Sequence, residues 1–129
     1  MSASLLVMMA LTICSFGNVK SPSSDYSSST ANVTVTDISI GSKDNAGRYT
    51  VKITVKATNL APDETVKTIG AKWGTVKSNP SNRDSRSSGT SVTFTSPWHT
   101  GTTYYVTPFL KTNKTDGEIT GSTVSQRTP

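Results

Sequence analysis

The feature that most constrains the fold is a stretch, residues 48–58, in which apolar and polar side chains alternate without interruption. The apolar members are Tyr49, Val51, Ile53, Val55 and Ala57, and Thr and Lys residues stand between them. A period of two places successive side chains on opposite faces of an extended strand. The stretch therefore predicts a β-strand with one buried face and one face in water.

Further strands are predicted on both sides of this one. An earlier strand at 33–40 changes phase at Asp37, which indicates a bulge or a switch of sheet. The later apolar segments lie at 66–73, 92–94, 104–111 and 119–124, and the polar segment 78–89 has room for a short edge strand. Pro108 has no N–H, so it predicts a bulge or an unpaired position. Six or seven short strands with no helical period predict an all-β, antiparallel, immunoglobulin-like sandwich of about seven strands.

An apolar run at residues 5–14 precedes the strands. It is shorter than the roughly 20 residues that a membrane span needs and fits the apolar core of an export signal. Cleavage before Asn18, after Ser15-Phe16-Gly17, is one route. Lipidation of Cys14 is the other, because Leu11-Thr12-Ile13-Cys14 resembles a bacterial lipobox. Residues 1–17 are accordingly predicted to be a signal peptide or lipoprotein signal, and the protein to be exported, as an outer-membrane lipoprotein or a secreted or cell-surface protein.

Residues 18–30 are rich in Ser and too polar to pack, which is typical of a linker. The β domain is predicted to occupy residues 31–129. A linker between an export signal and a domain holds the domain away from a membrane surface.

The charges and the cysteine count exclude several classes of function. The net charge is +5, yet Lys and Arg are scattered along the chain, whereas nucleic-acid binding needs a clustered patch. One Cys and one His exclude an internal disulfide and a multi-Cys or multi-His metal site. No nucleic-acid partner, metal or cofactor is therefore expected.

The titratable residues offer few candidates for catalysis. His99 is the single imidazole available as a base, and it stands between Trp98 and Thr100 in a predicted turn. The acidic pairs Asp63/Glu64 and Asp116/Glu118 are interpreted as solvated turn residues. Calcium is the alternative for such loop carboxylates, but no regular calcium-loop spacing is present. The expectation is that the protein is not an enzyme.

The segment Gly101-Thr102-Thr103-Tyr104-Tyr105-Val106 resembles the corner of fibronectin type III domains, where a turn and a Tyr precede a long strand. Trp98 stands where that family usually has Leu, and Thr100 where it usually has Pro. The resemblance implies that Tyr104 is the corner tyrosine, whose hydroxyl bonds a nearby backbone group.

The resemblance is closest to fibronectin type III-like domains of secreted and surface proteins of the Bacteroidetes. Four further motifs stand in the order typical of those domains, and the resemblance covers residues 31–127. These motifs are residues 69–74, Asn79-Pro80, Thr112-Asn113 and Gly117. The resemblance implies the fold but no single function, because this fold hosts many roles.

The strand phase separates the remaining aromatic residues. Trp73 is in phase with apolar neighbours and is predicted to lie in the core with Tyr104 and Trp98. Tyr105 and Phe109 point the other way, near Lys72, and form the candidate binding surface for an unknown protein or glycan.

Two functions follow. One is a structural or surface module that acts as a spacer, display or adhesion unit. The alternative is a carbohydrate-binding accessory module of a glycan-uptake system. An exposed, coplanar Tyr105/Phe109 pair, or a Trp98 outside the core, would favour the alternative.

Overall fold

The computed structural model of the protein describes residues 29–129. The predicted signal of residues 1–17, its Cys14 and most of the predicted linker lie outside the described residues. The described chain consists of β-strands, turns and loops. Its eight strands are β1 Asn32–Lys43, β2 Arg48–Thr58, β3 Val66–Gly74, β4 Asn82–Arg86, β5 Ser91–His99, β6 Thr103–Thr112, β7 Ile119–Thr120 and β8 Val124–Arg127.

The strands form two antiparallel sheets. The first sheet has the order β1-β2-β5, and the second has the order β4-β3-β6-β7 with β8 also paired to β6. One edge of β6 pairs with β3. The other edge is shared by β7 and β8, which pair with different parts of β6. The predicted antiparallel sandwich is confirmed.

Alternation places the core between the sheets. In β2, Val51, Ile53 and Val55 are fully buried, while Lys52 and Lys56 face water. In β1 the register against β2 shifts between Val35 and Asp37, as the change of phase predicted. The extra residue keeps the apolar side chains of β1 facing the core on both sides of the bulge.

The C-terminal strand differs from its prediction. A single strand at 119–124 was expected, but β7 ends at Thr120 and β8 begins at Val124. Pro108 explains the break, because its carbonyl accepts a hydrogen bond from the N–H of Gly121 at 3.0 Å on that same edge. The N–H that Pro108 lacks would point to this edge, where the partner strand is interrupted. On its other side, Pro108 is in regular register with Ala71 of β3.

The two ends of the described chain lie at opposite ends of the sandwich. Asn32 of β1 is in register with Thr58, so the chain enters beside loops 59–65 and 113–118, here called the entry pole. Arg127 is in register with Thr103, and the last residues lie beside turn 100–102, here called the exit pole. The domain thus separates its two chain ends by the full length of its strands.

Candidate interaction surface

The centre of the second sheet's outer face is a close contact between a glycine and an aromatic ring. Gly70 of β3 is in register with Phe109 of β6. A Cβ at Gly70 would lie 2.6 Å from Cζ of Phe109 and 2.2 Å from the carbonyl oxygen of Asp84. A glycine is therefore required here, because the ring and the neighbouring strand approach its backbone too closely for any side chain.

Two cations lie over the same ring. The guanidinium carbon of Arg83 lies 3.8 Å from the Phe109 centroid, and Nζ of Lys72 lies 5.7 Å from it. Arg83 also forms an ion pair of 2.7 Å with Glu118. Phe109 is consequently 0 % exposed, so the expectation that it is exposed is wrong. Arg83, the nearer of the two cations, belongs to β4, the short strand that lies within the polar segment 78–89.

Tyr105 lies on the same face and is half-buried, in register with Gly74 on one side and Ser125 on the other. Lys72 is also half-buried. The structure thus brings Lys72 and Phe109 into contact, but Tyr105 and Phe109 do not form an exposed aromatic pair. Of the candidate surface residues, Tyr105 and Lys72 remain partly accessible.

Positive charge dominates this face. Lys72 and Arg83 are directly opposite each other in the β3–β4 ladder. The hydrogen bond from Arg83 lowers the pKa of Glu118; burial opposes this, and the charges of Arg83, Lys72 and Lys111 lower the pKa further. Three cations therefore lie within electrostatic range of one carboxylate.

The three predicted core and corner residues lie inside the sandwich. Trp73 is 4 % exposed and Trp98 is fully buried, with its ring stacked on Tyr104 at 4.2 Å between centroids. The Tyr104 hydroxyl accepts a hydrogen bond from the N–H of His99 at 2.9 Å. Neither a Trp98 outside the core nor an exposed Tyr105/Phe109 pair is present, so the features that would favour the carbohydrate-binding alternative are missing from the described chain.

Glu64 differs from its interpretation as a solvated turn residue, because it is 7 % exposed at the entry pole. Its carboxylate accepts hydrogen bonds from the hydroxyls of Ser29 and Thr112, both at 2.6 Å, and from the N–H of Ala61 at 3.0 Å. Burial raises the pKa of Glu64, but these hydrogen bonds and the Lys114 charge outweigh burial, and the net shift is downward. The hydrogen bonds to Glu64 therefore connect the start of the domain, loop 59–65 and the end of β6.

The other titratable side chains that could carry chemistry lie apart from one another. Asp63 forms an ion pair with Lys114 at 2.9 Å, and His99 is exposed at the exit pole. Within residues 29–129, no group of three or more His, Cys, Asp or Glu side chains is placed to hold a metal ion. The same residues contain no helix long and apolar enough to cross a membrane.

Sequence reasoning missed Arg83 and Glu118 as parts of this surface, as well as the burial of Glu64. One signal was present: Gly70 lies inside a predicted strand, and an interior glycine marks a close approach of backbone or ring. The pairing of β4 with β3 had no comparable signal, because its five residues are polar.

No protein-family model and no curated protein matches the chain. Among solved structures, the chain is similar to a DUF3823 family protein from Parabacteroides merdae, with a TM-score of 0.50 and 12 % identity over 74 % of this chain and 52 % of that one. The chain is also similar to a DUF3823 family protein from Bacteroides ovatus, with a TM-score of 0.46 and 12 % identity over 72 % of this chain and 54 % of that one. The chain spans about half the length of each. At this identity, the first similarity shows the fold alone.

Proposed function

We propose that the chain is an exported, non-catalytic surface module of fibronectin type III-like character that acts as a spacer or display unit. The observation that carries this proposal is the placement of the chain ends at opposite poles. A module inserted between an anchor and an outer segment must enter at one end and leave at the other. Ser29 at the entry pole and Pro129 at the exit pole meet that requirement.

Two features support the fibronectin type III-like assignment. The strands form one sheet of order β1-β2-β5 and a second in which β4-β3-β6 is followed by β7 and β8, an antiparallel sandwich of the kind that the resemblance implies. Tyr104 makes the hydroxyl-to-backbone bond expected of a corner tyrosine, to His99. The similarity in fold to a Parabacteroides merdae protein is consistent with the bacterial group to which the resemblance points.

The dimensions suit a spacer. Strands of ten to twelve residues extend roughly 35 Å at about 3.4 Å per residue. The Ser-rich linker predicted for residues 18–30 would add roughly 20 Å of reach. A lipid on Cys14 would attach the chain to a membrane, and the exit pole would then point away from that membrane.

The distribution of apolar residues supports a display role over a tight interface. Val76 is the one large hydrophobic side chain that stands exposed among residues 29–129. Tight protein interfaces depend on aromatic anchors in apolar pockets. Phe109, which could have supplied an anchor, is covered by Arg83.

Export and display are tested together by expressing the full chain in a Gram-negative bacterium with an epitope tag after Pro129. The expected results are loss of the N-terminal segment by intact mass and a tag that antibody reaches on whole cells. Cys14→Ala distinguishes the two routes: under lipidation it abolishes detergent partitioning, and under cleavage before Asn18 it changes nothing. Retention of Met1 in a cytoplasmic protein would overturn the proposal.

A further inference from the structure

The second sheet maintains an unfavourable charge arrangement on its outer face. Lys72 and Arg83 stand directly opposite each other on neighbouring strands, and like charges in that position destabilise a sheet. Glu118 is the carboxylate that offsets them, through its 2.7 Å contact with Arg83. The Glu118 ion pair and the stacking of Arg83 on Phe109 offset this repulsion, but the face still carries excess positive charge that an anionic ligand could neutralise.

Further cations extend this arrangement along β6. Lys111 is in register with Thr68, and Arg127 is in register with Thr103 on the far edge. The register places Lys111, the Lys72/Arg83 pair and Arg127 at three levels separated by roughly 13 Å along the strands. The cations therefore occupy three levels along the strands and spread across β4, β3, β6 and β8, an arrangement here called the cationic track (Lys72, Arg83, Lys111 and Arg127).

The surface between these cations carries hydroxyl groups. Thr107 of β6 bonds Thr123 across the strand edge at 2.7 Å, and the half-buried Tyr105 lies one level away. The other hydroxyl-bearing residues at outward register positions are Thr68, Ser85, Thr103, Thr120 and Ser125. A flat face of cations and hydroxyls matches a hydroxylated polyanion, whereas it lacks the apolar pockets that anchor a protein partner.

We propose that the cationic track binds a polysaccharide that carries carboxylate or sulfate groups. Arg83 supplies a planar fork suited to either anion, and the Glu118 carboxylate already occupies that fork in the free protein. The ligand's anion takes the place of Glu118, while Lys72 and Lys111 contact neighbouring anions of the same chain. This binding role goes beyond the proposed spacer function and is tested without reference to export.

The test measures the affinity of the full chain for four polymers at low and at high salt. Polygalacturonate supplies carboxylates and dextran sulfate supplies sulfates, so the two identify the anion. Dextran is the neutral control, and duplex DNA controls for attraction to any polyanion. We expect binding to at least one of the two anionic polysaccharides, weakened by salt, with no binding to dextran and weaker binding to DNA.

Matched variants locate the surface. Lys72→Gln/Lys111→Gln should weaken binding about tenfold, the combined effect of two charge contacts at the surface. Lys52→Gln/Lys56→Gln removes the same charge from the outer face of the first sheet and should leave the affinity unchanged. Glu118→Gln should tighten binding because it frees Arg83, a result that a merely structural Glu118 would not produce. Thermal melting checks that each variant is folded.

Three results would overturn the proposal. The first is an absence of binding to both anionic polysaccharides at low salt. The second is an equal loss of affinity in the two double-lysine variants, or a Glu118→Gln variant that binds no more tightly. The third is DNA binding as tight as polysaccharide binding, which would indicate non-specific attraction by the net charge.

Discussion

The indole Nε1 of Trp73 donates a hydrogen bond of 3.0 Å to the hydroxyl of Ser96, and this bond crosses from the second sheet to the first. Both residues are buried, with 4 % and 6 % of their surface exposed. Phe94, two residues from Ser96 on β5, lies 6.4 Å from the Trp73 ring. A directional bond inside an otherwise apolar core fixes how the two sheets are aligned, which non-directional packing alone does not do.

Replacing Ser96 with Ala should destabilise the domain by about 1–3 kcal/mol, since the buried indole N–H would lose its partner. Urea unfolding measures the change. Ser91→Ala, on the same strand but exposed, is the control and should shift the free energy of unfolding by less than about 0.5 kcal/mol. In a Trp73→Phe background, Ser96→Ala should cost less, because the donor is gone. An equal cost in both backgrounds would show that the bond contributes nothing.

Gly70→Ala should be among the most destabilising glycine substitutions in the domain. The added methyl would meet the backbone of Asp84 and the ring of Phe109, so β4 must move away and Arg83 with it. The expected cost is at or above the upper end of about 1–3 kcal/mol. Gly117→Asn is the control, because nothing lies within 4 Å of its Cβ position and Asn tolerates the positive φ of 83°. Similar melting temperatures for the two variants would contradict the close contact.

Glu64 makes the stability of the domain depend on pH in a definite direction. Its pKa in the folded protein is lowered from the ordinary value of 4.5, so the folded state binds this proton less tightly than the unfolded chain. The stabilisation is complete above the ordinary value and is lost as the pH falls through it towards the lowered value. Glu64→Gln should therefore be less stable than wild type at neutral pH, by about 1–3 kcal/mol.

Denaturant unfolding at neutral and at acidic pH checks this prediction, and the gap between Glu64→Gln and wild type should narrow in acid. Glu118→Gln is the comparison, since the pKa of Glu118 is also lowered, by the Arg83 hydrogen bond first, but its ion pair lies at the surface. Its effect should stay below about 1 kcal/mol. A gap for Glu64→Gln that does not depend on pH would show that its ionised carboxylate is not what stabilises the entry pole.

Tyr104→Phe tests the corner of the exit pole. The change keeps the ring that stacks on Trp98 but removes the hydroxyl that accepts the His99 N–H. The expected loss is about 1–2 kcal/mol. Tyr105→Phe, the next residue on the opposite face, should change stability by less than about 0.5 kcal/mol. The melting temperatures of the two variants, measured side by side, test this prediction. A Tyr105→Phe variant less stable than Tyr104→Phe would show that the strand phase is misassigned.

The strands and their buried faces were predictable because the information is local. Alternation over 48–58 and the change of phase at Asp37 are each contained in a few neighbouring residues. The break beside Pro108 was partly predictable for the same reason, since the missing N–H is a property of the residue itself.

The surface and the entry pole were not predictable, because they depend on contacts between distant residues. Arg83 reaches Glu118 across 35 positions of the chain, and Glu64 reaches Thr112 across 48. Nothing in the composition of segment 78–89 distinguishes Arg83 from an ordinary solvated arginine. Its role appears when β4 pairs with β3 and places the guanidinium over Phe109.

The opposite placement of the chain ends also has a mechanical consequence. Tension applied between Ser29 and Pro129 would pull β1 lengthwise along β2 and β8 lengthwise along β6, so both ladders are loaded in shear. Hydrogen bonds lie across the strands, and in shear they resist together instead of opening one by one. The β1–β2 ladder has nine register pairs and the β6–β8 ladder has four. A rising force should therefore detach β8 first, and β1, on the side of the proposed anchor, should hold longer.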